Sequence, residues 1–186
     1  MGAVKGVQLA ILSDAAVQEE GLAEQGPAAE YPRAENLKFA LVHVCGRQLP
    51  SDEQIDSGWQ ATWGAYASDA PRVYSASELA MHYRGSAATA IAELKRVATC
   101  HTYDANGLTY TIVAPPSIPP VAGAGAQFDY CENFGGPTTD CTVVLTHGHV
   151  AAALRVQGLT AAGARRGAAN LAGPLAQAVA RADMTR

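Results

Sequence analysis

An α+β fold, with a single antiparallel β-sheet flanked by α-helices and held by two disulfides, is what this 186-residue sequence predicts. Three observations carry that expectation. Leu79, Met81 and Tyr83 alternate with Glu78, Ala80 and His82, the two-residue period of a strand with one apolar face. Ala87, Ala90, Ile91, Leu94, Val97 and Ala98 then recur at the helical period, so one helical face packs on the sheet. CTVVLTH (141–147) and HVAAALRVQG (149–158) meet at Gly148 as a tight hairpin, and Thr160 caps a final helix reaching about residue 182. Antiparallel pairing with the helices mainly against one face is the simplest packing, and it leaves the other face to line a groove.

The remaining elements follow in chain order. Residues 7–22 read as a short apolar lead and a helix, with Ser13 as N-cap, Asp14 complementing the dipole and Gly21 as the stop. Residues 23–36 are loop-like, and 37–45 read as an apolar strand leading to Cys45. Pro50 to Glu53 resembles a helix start capped by Ser51, running to Trp59 and Trp63, which share a face if the helix persists through Gly58. The two tryptophans are expected to anchor core rather than ligand. The strand over 72–84 ends at Gly85, and Ser86 caps the helix that leads to Cys100. Asn106-Gly107 is a turn pair ahead of a strand over 108–113. Residues 114–140, rich in proline and glycine, are expected to form a long loop pinned through Cys131 and Cys141. Pro174 is expected to kink the last helix or begin a new turn.

Composition bounds the function. A hydrophobic content of 48% against 16% charged residues excludes a disordered chain. A net charge of −4 without a basic stripe argues against nucleic acid as a partner. No run of about 18 apolar residues exists, so no membrane segment is expected. Residues 7–186 read as one domain, with 1–6 a disordered or added N-terminus.

Cys45, Cys100, Cys131 and Cys141 are even in number and none has the close spacing of zinc modules. Two disulfides are therefore the leading reading, and they place the chain in an oxidising compartment, extracellular or in the cell envelope. Met1 to Gly6 lacks the apolar core of a secretory signal before Val7. The disulfide reading thus carries the expectation that an export signal or anchor was removed.

No catalytic or metal signature stands out. His43, His82, His101, His147 and His149 include the pair His147-x-His149 across a turn glycine, which is not a zinc spacing, so exposed turn histidines are the better account. GAGAQ (123–127) lacks the Gly-Lys-Ser/Thr ending of a phosphate loop, and no G-x-S-x-G elbow occurs. No cofactor is expected. The candidate site is a pocket: if the strands share a sheet, Glu78, His82 and Arg155 converge over the small side chains of Ala80, Ala151 and Ala153. The competing account is an ordinary half-solvated sheet face.

Three segments carry a family resemblance: VCGRQLPSDEQIDSGWQATW (44–63), ASELAMHYRGSAATAIAELKRVATC (76–100) and CTVVLTHGHVAAALRVQGLTAAGARRGAANLAGPLAQAVAR (141–181). Together they resemble the extracellular sensor domains of PknH-type actinobacterial serine/threonine kinases and related secreted or lipoprotein domains. The resemblance is one of loose pattern over roughly residues 7–182. It implies an antiparallel sheet flanked by helices, a large cleft thought to bind a ligand, and no catalytic residues. It also implies the pairing Cys45–Cys100 and Cys131–Cys141, which four cysteines leave open among three connectivities. The functional expectation is a non-catalytic signalling sensor domain binding a small, amphipathic molecule on the sheet face. The alternative is a cytosolic cyclase or isomerase on the same fold, with Glu78, His82 and Arg155 as its acid–base groups.

Overall fold

Among the residues described by a computed structural model (6–31, 41–66, 73–105, 107–113 and 118–184), nine strands join in one sheet. They are β1 (Leu22–Glu24), β2 (Ala29–Glu30), β3 (Ile55–Ala65), β4 (Ser75–Tyr83), β5 (Thr102–Ala105), β6 (Leu108–Val113), β7 (Ala126–Asn133), β8 (Thr139–His147) and β9 (Val150–Gly158). The order is β1-β3-β4-β9-β8-β7-β6-β5, with β2 also on β3, and every pair is antiparallel. Three α-helices accompany it: α1 (Asp14–Gln18), α2 (Ala88–Val97) and α3 (Ala161–Asp183). The α+β class is as expected, and both disulfides form with the implied pairing, Cys45–Cys100 and Cys131–Cys141.

The two faces of the sheet are covered differently. On one, the α3 stripe of Ala164, Ala168, Leu171, Ala172, Leu175, Ala176 and Val179 packs on Ala76, Ala80, Val143, Leu145, Leu154 and Val156. Small side chains let the helix lie close: a Cβ at Gly167 would stand 2.6 Å from Val73 Cγ2. On the other face, Ala90, Ile91 and Leu94 of α2 pack on Met81, Tyr83, Val144 and Ala151. The long α3 and Val17 of α1 pack on the first face and only the short α2 on the second, so the helices lie mainly against one face as expected. The short α2 covers only part of its face, and Glu93 on it accepts from Ser51 N at 2.9 Å, tying the helix to the turn before β3.

Several local expectations are confirmed. Val150, Ala152, Leu154 and Val156 share one face of β9. Thr160 caps α3 by accepting from Gly163 N at 3.1 Å. Gly21 adopts a left-handed φ of 75° after α1. Ser13 occupies the N-cap position of α1 without a side-chain cap bond.

Others are corrected. Ser51 is not a cap: Leu49 holds that position before a 3-10 turn (Pro50–Gln54), and Asp52 accepts from Leu49 N at 3.0 Å. Residues after Gln54 form β3 rather than helix, and Trp59 and Trp63 still share a face because a separation of four suits a strand as well. Gly58 admits the close approach of Met81, whose Sδ would lie 2.5 Å from a Cβ there. Ala87, not Ser86, is the N-cap of α2. Of the strand expected over 37–45, residues 37–40 lie outside the described residues, and Val44–Gly46 is a 3-10 turn with Cys45 left-handed at φ 58°. The supposed loop 114–140 holds β7, residues 114–117 lying outside the description. Helix α3 continues through Pro174 without starting anew. Residues 1–5 also lie outside the described part. No helix among the described residues is long and apolar enough to cross a membrane.

Candidate ligand cavity

The part of the second sheet face that α2 leaves uncovered forms a cavity of about 260 Å³. Strand alternation builds its floor, because in-register residues of neighbouring strands point the same way. One cross-strand row is Tyr130, Thr142, Arg155, Ser77 and Thr62, and the next is Phe128, Val144, Ala153, Leu79 and Gln60. Except for Phe128 and Val144, all of these residues line the cavity. Tyr103 and Tyr110, a cross-strand pair with rings stacked 5.0 Å apart, form one side with Glu132. Tyr31, Leu41, Val42 and His43 add a further wall. The Cys45–Cys100 bridge fastens that wall to the approach of β5, and Cys100 N donates to Cys45 Sγ at 3.3 Å.

The charges are arranged around Arg155. Its guanidinium hydrogen-bonds Asp140, a side chain with no exposure, and Gln157 Nε2 donates to the other Asp140 oxygen at 3.1 Å. Burial alone would lower the Arg155 pKa, but the charge of Asp140 and its hydrogen bond outweigh this and raise it. The guanidinium also lies 5.5 Å from the Phe134 ring centre. Glu132 accepts from Tyr103 Oη at 2.5 Å. Burial raises the Glu132 pKa, while the Tyr103 bond and Arg155 oppose that shift. Burial also raises the phenol pKa values of Tyr103 and Tyr130, so both hydroxyls remain protonated donors.

Glu78, His82 and Arg155 do not converge as the sequence suggested. Arg155 pairs with Ser77, whereas Glu78 pairs with Leu154, one residue along, and so points to the opposite face. Glu78 borders the cavity, but its carboxyl group turns under the N-terminal segment, where Leu12 N donates to Oε2 at 2.9 Å. Burial pushes its pKa up to about 8, and Oε1 has no partner among the described residues. His82 lies at the sheet end, bonded through Nδ1 to Asp56 at 2.8 Å and stacked on His149 at 6.0 Å. Ala80 faces α3, Ala151 packs towards α2, and Ala153 alone of the three alanines lines the cavity.

The other histidines are dispersed. His147 Nδ1 meets Asp183 at 3.2 Å, His149 Nδ1 meets Tyr83 O at 3.2 Å, and His43 borders the cavity. Among the described residues no group of three or more His, Cys, Asp or Glu is placed to hold a metal ion.

The tyrosines, Glu132 and Asp140 were not anticipated as site residues. Their signal is present in AQFDYCEN (126–133), where Phe128, Tyr130 and Glu132 fall on one face at a period of two.

The nine-stranded antiparallel sheet with helices on both faces and a cavity on one defines an α+β fold. Among solved structures it matches the extracellular domain of PknH from Mycobacterium tuberculosis, with a TM-score of 0.58 over 93% of this chain and 96% of that one. Sequence identity is 10%, so the likeness is one of fold. No protein-family profile and no curated protein sequence matches the chain.

Proposed function

We propose that this chain is a non-catalytic, sensor-type domain of the cell exterior or envelope, spanning residues 7–186, that binds a small amphipathic molecule in the sheet-face cavity. The observation that carries the reading is the cavity itself. Apolar Leu79 and Ala153 lie beside Arg155, Glu132 and several tyrosines, a mix suited to orienting a ligand with one apolar and one polar end. The fold likeness to the extracellular domain of PknH and the two disulfides support the same reading. A cyclase or isomerase role rested on Glu78, His82 and Arg155 acting together, and their separation favours the binding role.

Thermal denaturation across lipid, glycan and metabolite panels tests the proposal. A ligand at about 100 times its Kd adds about 2.7 kcal/mol of stability. The shift should vanish in Ala153→Trp, which fills the cavity floor. Absence of any shift across the three panels would overturn the binding role. Thiol counting on denatured protein taken directly from cells tests the compartment, and four free thiols would overturn the extracellular assignment.

A further inference from the structure

Resting on the binding role just proposed, we infer that the cavity selects ligands carrying a positively charged amine or quaternary ammonium group, seated against Glu132 and the tyrosine rings. Arg155 invites a ligand carboxylate or phosphate, yet its guanidinium is held by Asp140. Asp140 has no exposure, and its remaining hydrogen bond comes from the neutral amide of Gln157. Drawing Arg155 towards a ligand anion would leave a buried carboxylate without a counter-charge, a strongly unfavourable state. Arg155 is thus a structural cation, further positioned by the Phe134 ring.

Glu132 is the acid left over. Its direct hydrogen-bond donor is the neutral Tyr103 hydroxyl, and it shares the field of Arg155 with Asp140. One guanidinium between two carboxylates leaves a net negative charge in a site walled by low-dielectric side chains, where Coulombic interactions are stronger than in water. The surrounding groups fit the same polarity. Tyr31, Tyr103, Tyr110 and Tyr130 line the cavity, and their ring faces attract cations. Protonated phenols donate no positive charge to compete with a ligand cation. On the opposite side of the floor, Leu79 and Ala153 accept the apolar body of the same molecule.

Three probes of nearly matched shape test this: benzyltrimethylammonium, the neutral isostere 2,2-dimethylpropylbenzene, and the anion hydrocinnamate, each titrated into the folded protein and followed by NMR shifts of Leu79 and Ala153 methyls. The cation should bind at least tenfold tighter than the neutral isostere and more strongly still than the anion. Glu132→Gln should bring the cation-to-neutral ratio close to one. If that variant does not fold, the wild-type ranking of the three probes still decides. Binding of neutral or anionic probe as tight as the cation overturns the charge selection and leaves the binding cavity standing. Failure of all three probes to move the Leu79 and Ala153 methyls overturns both.

Discussion

Tyr103 on β5 donates its hydroxyl to Glu132 on β7 at 2.5 Å, reaching over β6 at the edge of the cavity. The bond holds the outer hairpin against the body of the sheet and orients Glu132, whose donor here is a neutral hydroxyl rather than a cation. Tyr103→Phe removes the donor but leaves Glu132 in place, so the acceptor is stranded. A loss of about 1–2 kcal/mol is expected in urea unfolding. Adding Glu132→Gln should recover part of it, because the second change removes the charge that needs a donor. Equal losses for the single and double variants would show that the pair is not coupled.

Arg155 and Asp140 make a sharper case, since Asp140 is fully buried. Arg155→Met leaves that carboxylate facing only Gln157, and because the Arg155 side chain is itself partly exposed to solvent, a screened loss of about 1–3 kcal/mol is expected. Arg155→Met combined with Asp140→Leu should cost less than the single change, because neither charge remains to be desolvated. A double-mutant cycle by chemical denaturation measures this directly. A coupling near zero would mean that the guanidinium is solvated well enough to be dispensable, and that Arg155 is available to a ligand anion after all.

What could be read from the sequence divides along a physical line. The strand over 75–83, the hairpin of β8 and β9, and the cap at Thr160 each carry a local signal, either a period or a capping residue, that owes little to distant contacts. The segment from Pro50 to Trp63 fails because a separation of four between tryptophans satisfies both helical and strand periods, and Gly58 was weighed as a helix weakness when it serves the close approach of Met81. Strand β7 was hidden by its proline- and glycine-rich flanks, although its alternation of Phe128, Tyr130 and Glu132 is plain once isolated.

The site was the least legible part. Which residue of β4 stands opposite Arg155 is a matter of register, and a shift of one residue exchanges the faces. Ser77 rather than Glu78 takes that place, so Glu78 borders the cavity with its carboxyl group turned away from Arg155. The composition of the cavity instead comes from seven strands, Tyr31 and the 41–43 wall, a convergence that no local window contains.

Glu78, excluded from the cavity chemistry, has its own consequence for stability. Burial raises its pKa from 4.5 to about 8, against the favourable bond from Leu12 N. Between those values the folded protein retains a proton that the unfolded chain has released, so stability falls as pH rises through that window. Glu78→Gln cannot titrate. Its stability relative to the natural chain should therefore grow from near zero at pH 4 to a few kcal/mol, as an order of magnitude, at pH 8. Asp52, raised by burial to about 6, adds a slope of the same sign to both proteins at lower pH and cancels in the difference. Parallel curves for the two proteins from pH 4 to 8 would show that Glu78 is solvated in the folded state.

The two disulfides should differ in what their loss releases. Cys45–Cys100 closes 55 residues of sequence, for which chain entropy gives about 4 kcal/mol, and Cys131–Cys141 closes 10, for about 3 kcal/mol. The larger contrast is local. Cys131 and Cys141 face each other in the ladder between β7 and β8, whose backbone bonds hold the strands together when the bridge is absent. Cys45, itself in the left-handed region, sits in a 3-10 turn next to the cavity wall of Leu41, Val42 and His43, and that turn belongs to no strand. Replacing Cys45 and Cys100 by alanine should therefore raise amide exchange across residues 41–46 and weaken ligand binding several-fold. The matching change at Cys131 and Cys141 should lower the melting temperature while leaving exchange in β7 and β8 slow. Hydrogen exchange on the two variants distinguishes a local hinge from a global loss, and uniform acceleration along the chain in the first variant would remove the Cys45–Cys100 bridge as the fastening of the wall.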